Sequence, residues 1–230
     1  MAYEIIAALD TGDLEQAADL AGAIAEHPNC RALKVGFALG LSHGLPAVVA
    51  RLARAAPRLP LIYDHQKAGT DIPDTGALFA RTLAHAGISE VILFPLAGPV
   101  TQQVWIEACL EQGLKVIVGA VMTHTAYIAS EGGYLRDTAA LEIYSAAYAA
   151  GVRAFVVPLT RPEHTRQLIA AAGLDAECEY YSPGYGAQGG NPAAFDFIRR
   201  HYLIIGRSLA SASDPKAYID DILAGMGERA

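Results

Sequence analysis

Short apolar runs alternate with longer stretches of helical periodicity along the whole chain. Continuous apolar runs of this kind fit strands of a parallel sheet buried on both faces. The first, residues 5–9, ends at Asp10, and a helical pattern follows over about 13–26, with Thr11 or Asp13 available to cap it. A second strand at 32–36 precedes a helix at about 45–56. The third run, 59–63, ends at Asp64, and its helix spans about 73–86. Strands at 91–94, 115–121, 154–157, 179–182 and 202–205 complete the set. Helical patterns at about 100–111, 138–150, 162–172, 192–200 and 215–226 fall between and after them.

Eight strand–helix units with no break in composition predict an α/β fold, one (β/α)8 TIM barrel forming a single domain over residues 1–230. A doubly wound open sheet is the competing architecture. The barrel is preferred because polar clusters recur after nearly every strand, where a barrel has its C-terminal mouth. The longest connection, about 124–137, contains Glu131-Gly132-Gly133-Tyr134 and reads equally well as a mobile lid or as a variable surface loop.

Composition narrows the function classes. Of 230 residues, 53% are hydrophobic and 18% charged, as in a well-buried globular enzyme. The net charge of −7 argues against a broad nucleic-acid or anionic-membrane surface. Cys30, Cys109 and Cys178 are far apart and form no Cys-x-x-Cys pair, so neither a disulfide framework nor a zinc site is expected, and a reducing compartment fits. The start lacks a basic signal-peptide region, and no apolar run approaches the ~20 residues of a membrane span. A cytoplasmic protein is the expectation, and no metal-ligand pattern is present.

The candidate chemistry sits at strand ends. Asp10, Lys34 and Asp64 end or nearly end the first three strands, and Lys67 and Asp71 follow directly. Any one of these charges reads most simply as a solvated rim group. Together, at one mouth, they point to a working cluster, because charges in an apolar wall are costly unless paired or used. Asp10 and Lys34, on adjacent strands, are close enough in the barrel order to pair directly. After the seventh strand comes Ser182-Pro183-Gly184-Tyr185-Gly186-Ala187-Gln188-Gly189-Gly190-Asn191-Pro192, a loop that admits close backbone approach to a ligand. After the eighth comes Gly206-Arg207-Ser208. Loops at these two positions commonly hold phosphate, and Arg207 adds a matching fork of donors. Thr123 suits a base or carboxylate as well as it suits an ordinary strand-end cap. His124 has no partner in sequence. His27, His43, His85, His164 and His201 read as surface or half-buried groups on helices or loops, whereas His65 lies inside the charged stretch.

These pieces resemble orotidine 5′-phosphate decarboxylase of the compact prokaryotic type. The matching segments are Ala8-Leu9-Asp10, Lys34-Val35-Gly36, the Asp–Lys–Asp-Ile-Pro cluster at 64–73, Thr160-Arg161-Pro162-Glu163, Ser182-Pro183-Gly184 with Gly186-Ala187-Gln188-Gly189-Gly190, and Gly206-Arg207-Ser208. They occur in the family's order and span nearly the whole chain. The resemblance implies a homodimer with shared active sites that converts orotidine monophosphate to uridine monophosphate and CO2 without cofactor or metal. It implies that Asp10 and Lys34 hold the ribose, that Asp64 faces the substrate carboxylate, and that Lys67 stabilises and protonates the C6 carbanion. Asp71, Ile72 and Thr75 would reach the partner subunit's site, and Thr123 would touch the pyrimidine. Pro183, Gly184, Gln188, Gly189, Gly206 and Arg207 would surround the phosphate end.

One departure stands out. The family spacing is Asp-x-Lys-x-x-Asp, whereas this chain has Asp64-x-x-Lys67-x-x-x-Asp71, one residue longer in each gap. On a strand, positions i and i+3 point oppositely, so Lys67 joins Asp64 only where the backbone bulges or has left the strand. Two alternatives therefore stay open. One is a related sugar-phosphate barrel enzyme, of the Mg²⁺-dependent hexulose-phosphate synthase or ketogulonate-phosphate decarboxylase type. The other is a non-catalytic nucleotide-binding homologue.

Overall fold

In the computed structural model, which describes residues 3–65, 68–186 and 188–226, eight parallel strands close in sequence order into a barrel. The strands are β1 (Glu4–Leu9), β2 (Cys30–Gly36), β3 (Leu61–Asp64), β4 (Glu90–Leu93), β5 (Lys115–Gly119), β6 (Ala154–Val156), β7 (Glu179–Pro183) and β8 (Arg200–Ile205). Around them run α1 (Leu14–Ile24), α2 (Phe37–His43), α3 (Leu45–Ala55), α4 (Gly76–Ala86), α5 (Pro99–Glu111), α6 (Ala139–Ala149), α7 (Pro162–Ala171), α8 (Arg207–Ala210) and α9 (Pro215–Met226). Asp13 caps α1, its Oδ1 accepting from the N–H groups of Glu15 and Gln16 at 2.9 and 3.1 Å. Proline opens α5, α7 and α9, where its missing N–H costs nothing.

The period-two alternation of the strands divides the core. Outward residues such as Leu33, Val35, Leu61, Tyr63 and Val91 pack under the helices. Inward residues, among them Ile6, Ala32, Ile62, Ile92, Ile117 and Tyr181, fill the barrel. The N-terminal end of the barrel is closed by a polar girdle. Arg31 meets Glu90 at 2.7 Å, and Lys115 pairs with Glu179 and meets the Tyr181 hydroxyl at 2.8 Å. The same inward parity carries Asp10, Lys34 and Asp64 to the opposite, C-terminal end.

Several expected boundaries move. The helix expected at 192–200 is only a 3₁₀ turn, Pro192–Phe195, because Arg200 already pairs with Glu179 in the sheet. Strand β5 ends at Gly119 rather than residue 121, since its ladder with β6 stops at Gly119–Val156. The helix expected from 73 begins as the 3₁₀ turn Pro73–Thr75 and becomes α-helical at Gly76. Helix α2, directly after β2, and the short α8 were not expected. His201 is in β8, not on a helix or loop, and is buried, with Nε2 2.7 Å from Ser182 Oγ.

Candidate active site

Lys34 projects from β2 into the mouth with 7% of its surface exposed. Its Nζ lies 3.2 Å from Asp10 Oδ1 on the loop after β1 and 3.1 Å from Asp64 Oδ2 at the end of β3. Burial alone would lower the Lys34 pKa. The charges of Asp64 and Asp10, and the hydrogen bonds the ammonium donates to both, outweigh it and raise the Lys34 pKa above its usual value. The Asp10–Lys34 pair is therefore present, extended by Asp64 into a carboxylate–ammonium–carboxylate chain. Gly206 leaves room for it, since a Cβ there would come 3.3 Å from Asp10 Oδ2.

These three residues line one cavity of about 220 Å³ at the C-terminal mouth. Its other wall carries Thr123, Pro183, Gly184, Gln188, Gly206 and Arg207. The β7 loop is folded tightly. Gly190 N–H donates to Gly184 O at 3.0 Å, and a Cβ on Gly190 would lie 2.4 Å from Leu159 Cβ. That packing turns the Gln188 segment toward the cavity. Arg207 is exposed at the start of α8, and no salt bridge engages it among the described residues.

The expected site residues divide into three groups. Asp10, Lys34, Asp64, Thr123, Pro183, Gly184, Gln188, Gly206 and Arg207 converge on the cavity. Asp71, Ile72, Thr75 and Gly189 do not line it, and Asp71 and Ile72 face outward. Lys67 lies outside the described residues. Strand β3 ends at Asp64, and Ala68 O already accepts from Phe94 N–H at 2.8 Å. Gly69 follows at φ 86°, where an added Cβ would sit 3.0 Å from Pro95 Cα.

Sequence reading missed the apolar lining: Ile92, Phe94, Val121, Met122, Val156 and Ile204. Strand parity would have found Ile92, Phe94 and Val156. Gly119 accommodates Phe94, whose ring would lie 2.3 Å from an added Cβ. His124 is exposed beside Tyr127, outside the cavity. The loop expected as a possible lid is folded on itself by an Ile128–Leu135 bridge. It is tied to α7's entry by Arg161, whose guanidinium pairs with Glu131, Nη2 standing 3.0 Å from Oε2.

Fold and site together define a (β/α)8-barrel enzyme with a paired, buried lysine at the C-terminal mouth. The sequence profile of the Orotidine 5′-phosphate decarboxylase / HUMPS family matches residues 3–222. The chain belongs to that family. It is 33% identical over 212 residues to orotidine 5′-phosphate decarboxylase of Methanosarcina mazei, covering 92% of this chain and 90% of that protein. It is 32% identical over 213 residues to the enzyme of Methanococcoides burtonii, covering 92% and 91%. Among solved structures, orotidine 5′-monophosphate decarboxylase of Methanocaldococcus jannaschii, complexed with inhibitor BMP, superposes with a TM-score of 0.82. That match covers 99% of this chain and all of the other at 24% identity, and it speaks to the fold. Orotidine 5′-phosphate decarboxylase from Pyrococcus horikoshii OT3 gives a TM-score of 0.78 at 25% identity, covering 96% and 98%.

Proposed function

We propose that the chain decarboxylates orotidine 5′-phosphate to uridine 5′-phosphate and CO2, as a step of pyrimidine synthesis, without metal or cofactor. The observation that carries this reading is the Lys34 ammonium held between Asp10 and Asp64, across one cavity from Gln188 and Arg207. The Lys34 ammonium already occupies the place between the two carboxylates where a divalent cation would have to sit, which favours the nucleotide reaction over the Mg²⁺-dependent sugar-phosphate chemistry. The decarboxylase relatives matched over 92% of the chain support the same choice.

The chemistry follows from the charges. Arg207, Gln188 and the loop N–H groups grip the phosphate, with Pro183, Gly184, Gly189 and Gly206 allowing close approach. Asp10 and Lys34 hold the ribose, and Thr123 meets the pyrimidine. Asp64 faces the substrate carboxylate and disfavours it in the ground state. The C6–carboxylate bond breaks, CO2 leaves, and the electron pair stays on C6. Lys67 stabilises that carbanion and then donates its proton to C6, recovering a proton from water. An ammonium beside the carbon interacts more strongly with the carbanion than with the substrate, so its binding is spent in the transition state.

The active unit in this reading is a homodimer in the cytoplasm. Large apolar side chains are exposed in the three sectors after β2, β3 and β4: Phe37, Leu41, Ile72, Leu78 and Val100. Exposed apolar side chains concentrated in neighbouring sectors suit a second copy of the chain. Asp71, Ile72 and Thr75, outside their own cavity, would complete the partner's. The three cysteines are free and buried, in keeping with a reducing compartment, and no helix of the described residues is long and apolar enough to cross a membrane. The direct test is loss of orotidine 5′-phosphate ultraviolet absorbance with purified protein. Turnover abolished by Lys67→Ala in a folded dimer is expected; a folded dimer that binds uridine 5′-phosphate without turnover overturns the reading.

A further inference from the structure

We infer that His65, latched to Tyr63, is a positioning residue that fixes the path by which the chain leaves Asp64. This rests on the reading above, since it concerns how the reacting segment is held. Tyr63 and Asp64 are neighbours on β3, so their side chains point to opposite sides of the barrel wall. Asp64 faces the cavity, whereas Tyr63 lies under the helices with 5% of its surface exposed. The Tyr63 hydroxyl lies 2.8 Å from His65 Nδ1. Burial, and then the Asp64 charge, push the Tyr63 phenol up, so the hydroxyl keeps its proton and remains a neutral hydrogen-bond partner for Nδ1.

The latch is one end of a line of rings under the Asp64–Gly76 connection. His65 stacks on Phe37 of α2 with ring centres 6.3 Å apart and meets Tyr63 edge-on at 5.8 Å. Tyr63 lies 6.4 Å from Phe79, and Phe79 lies 4.8 Å from Trp105. Trp105 Nε1 donates to Ile72 O at 3.1 Å, and Thr101 Oγ1 donates to Asp71 O at 3.1 Å. One aromatic row thus braces the connection at its entry and at its exit. This connection is the segment that is two residues longer than the family spacing. A longer tether has more ways to place a side chain, so fixing its ends matters more for geometry. The phosphate grip stands on β7 and β8, away from the latch. The latch should therefore act on the chemical step and leave nucleotide binding alone.

The experiment compares Tyr63→Phe, His65→Leu and His65→Asn with the wild-type chain. Tyr63→Phe removes one hydroxyl and keeps the ring's packing. The amide of asparagine stands near the place of Nδ1 and restores a hydrogen-bonding partner for the hydroxyl. Expected for Tyr63→Phe and His65→Leu is a fall in kcat of about 10- to 100-fold, the effect of a misplacement near 1 Å, with uridine 5′-phosphate affinity held within about twofold. His65→Asn should recover most of the loss. Three results overturn the positioning role: kcat retained in Tyr63→Phe, a kcat loss matched by an equal loss of nucleotide affinity, or no recovery in His65→Asn. A wild-type chain without turnover overturns both this inference and the proposed function, whereas wild-type turnover kept by Tyr63→Phe overturns this one alone.

Discussion

Lys34 Nζ stands 3.1 Å from Asp64 Oδ2, with side-chain exposures of 9% and 6%. A pair this deep is held by mutual compensation, because each charge alone would be stranded away from water. The pair joins the end of β2 to the end of β3, so the charge arrangement of the mouth and the order of two strand ends depend on one contact.

Lys34→Met should therefore destabilise the fold by about 3–5 kcal/mol, the usual cost of leaving a buried charge without its partner. The double variant Lys34→Met/Asp64→Asn should recover much of that stability and none of the turnover. Urea denaturation followed by circular dichroism, beside the absorbance assay, separates the two effects.

The same pair sets a pH dependence. The Lys34 pKa is raised above the 10.5 of the free side chain, so its stabilisation is complete below 10.5 and is lost as pH rises through the higher folded value. The stability gap between wild type and Lys34→Met should be flat from about pH 7 to about pH 9 and should shrink only above 10.5. A gap that closes near neutrality would contradict the arrangement.

Arg207→Ala removes a charged fork from the mouth. A charge-assisted hydrogen bond is worth about 1.5–3 kcal/mol, so uridine 5′-phosphate should bind about 10- to 100-fold more weakly by calorimetry. Uridine without phosphate should bind both proteins alike.

The Arg161–Glu131 clamp predicts a local effect. Its hydrogen bond to Arg161 holds the Glu131 carboxyl below the usual value of 4.5. The clamp therefore persists above that value and opens as pH falls through the lowered one. Arg161→Ala should raise amide hydrogen exchange across residues 124–137 at neutral pH, and wild type should show the same rise only in acid. Unchanged exchange in the variant would mean that the Ile128–Leu135 bridge alone holds the loop.

Ile72 is 59% exposed and Leu41 73%. Ile72→Glu and Leu41→Glu should shift the protein to monomer in sedimentation experiments and lower activity with it, since burying an unpaired carboxylate at an apolar interface is costly. Dimers that persist in both variants would place the interface elsewhere.

Much of this was legible in the sequence because strand parity and strand ends are strong signals. Asp10, Lys34 and Asp64 fall at the mouth for the same reason that Ile6, Ala32 and Ile62 fall in the barrel. The failures have local causes. Helix α2 begins at Phe37, the residue after β2 ends, and its Phe37 and Leu41 are exposed, so it shows no inward apolar stripe. The helical pattern over 192–200 lost to sheet pairing at Arg200. His65 was singled out without a partner because the partner, Tyr63, belongs to the outward face of a strand read mainly for its inward one.

The girdle of Arg31, Glu90, Lys115, Glu179 and Tyr181 has a further consequence. Together with the packed layer of Ile62, Ile92 and Ile117 above it, it fills the rear of the barrel among the described residues. The cavity is a blind one. Whatever enters past Gln188 and Arg207 must go out by the same door, so a small gaseous product and a nucleotide share one route. The order of their departure is then set by which of them the mouth holds more firmly.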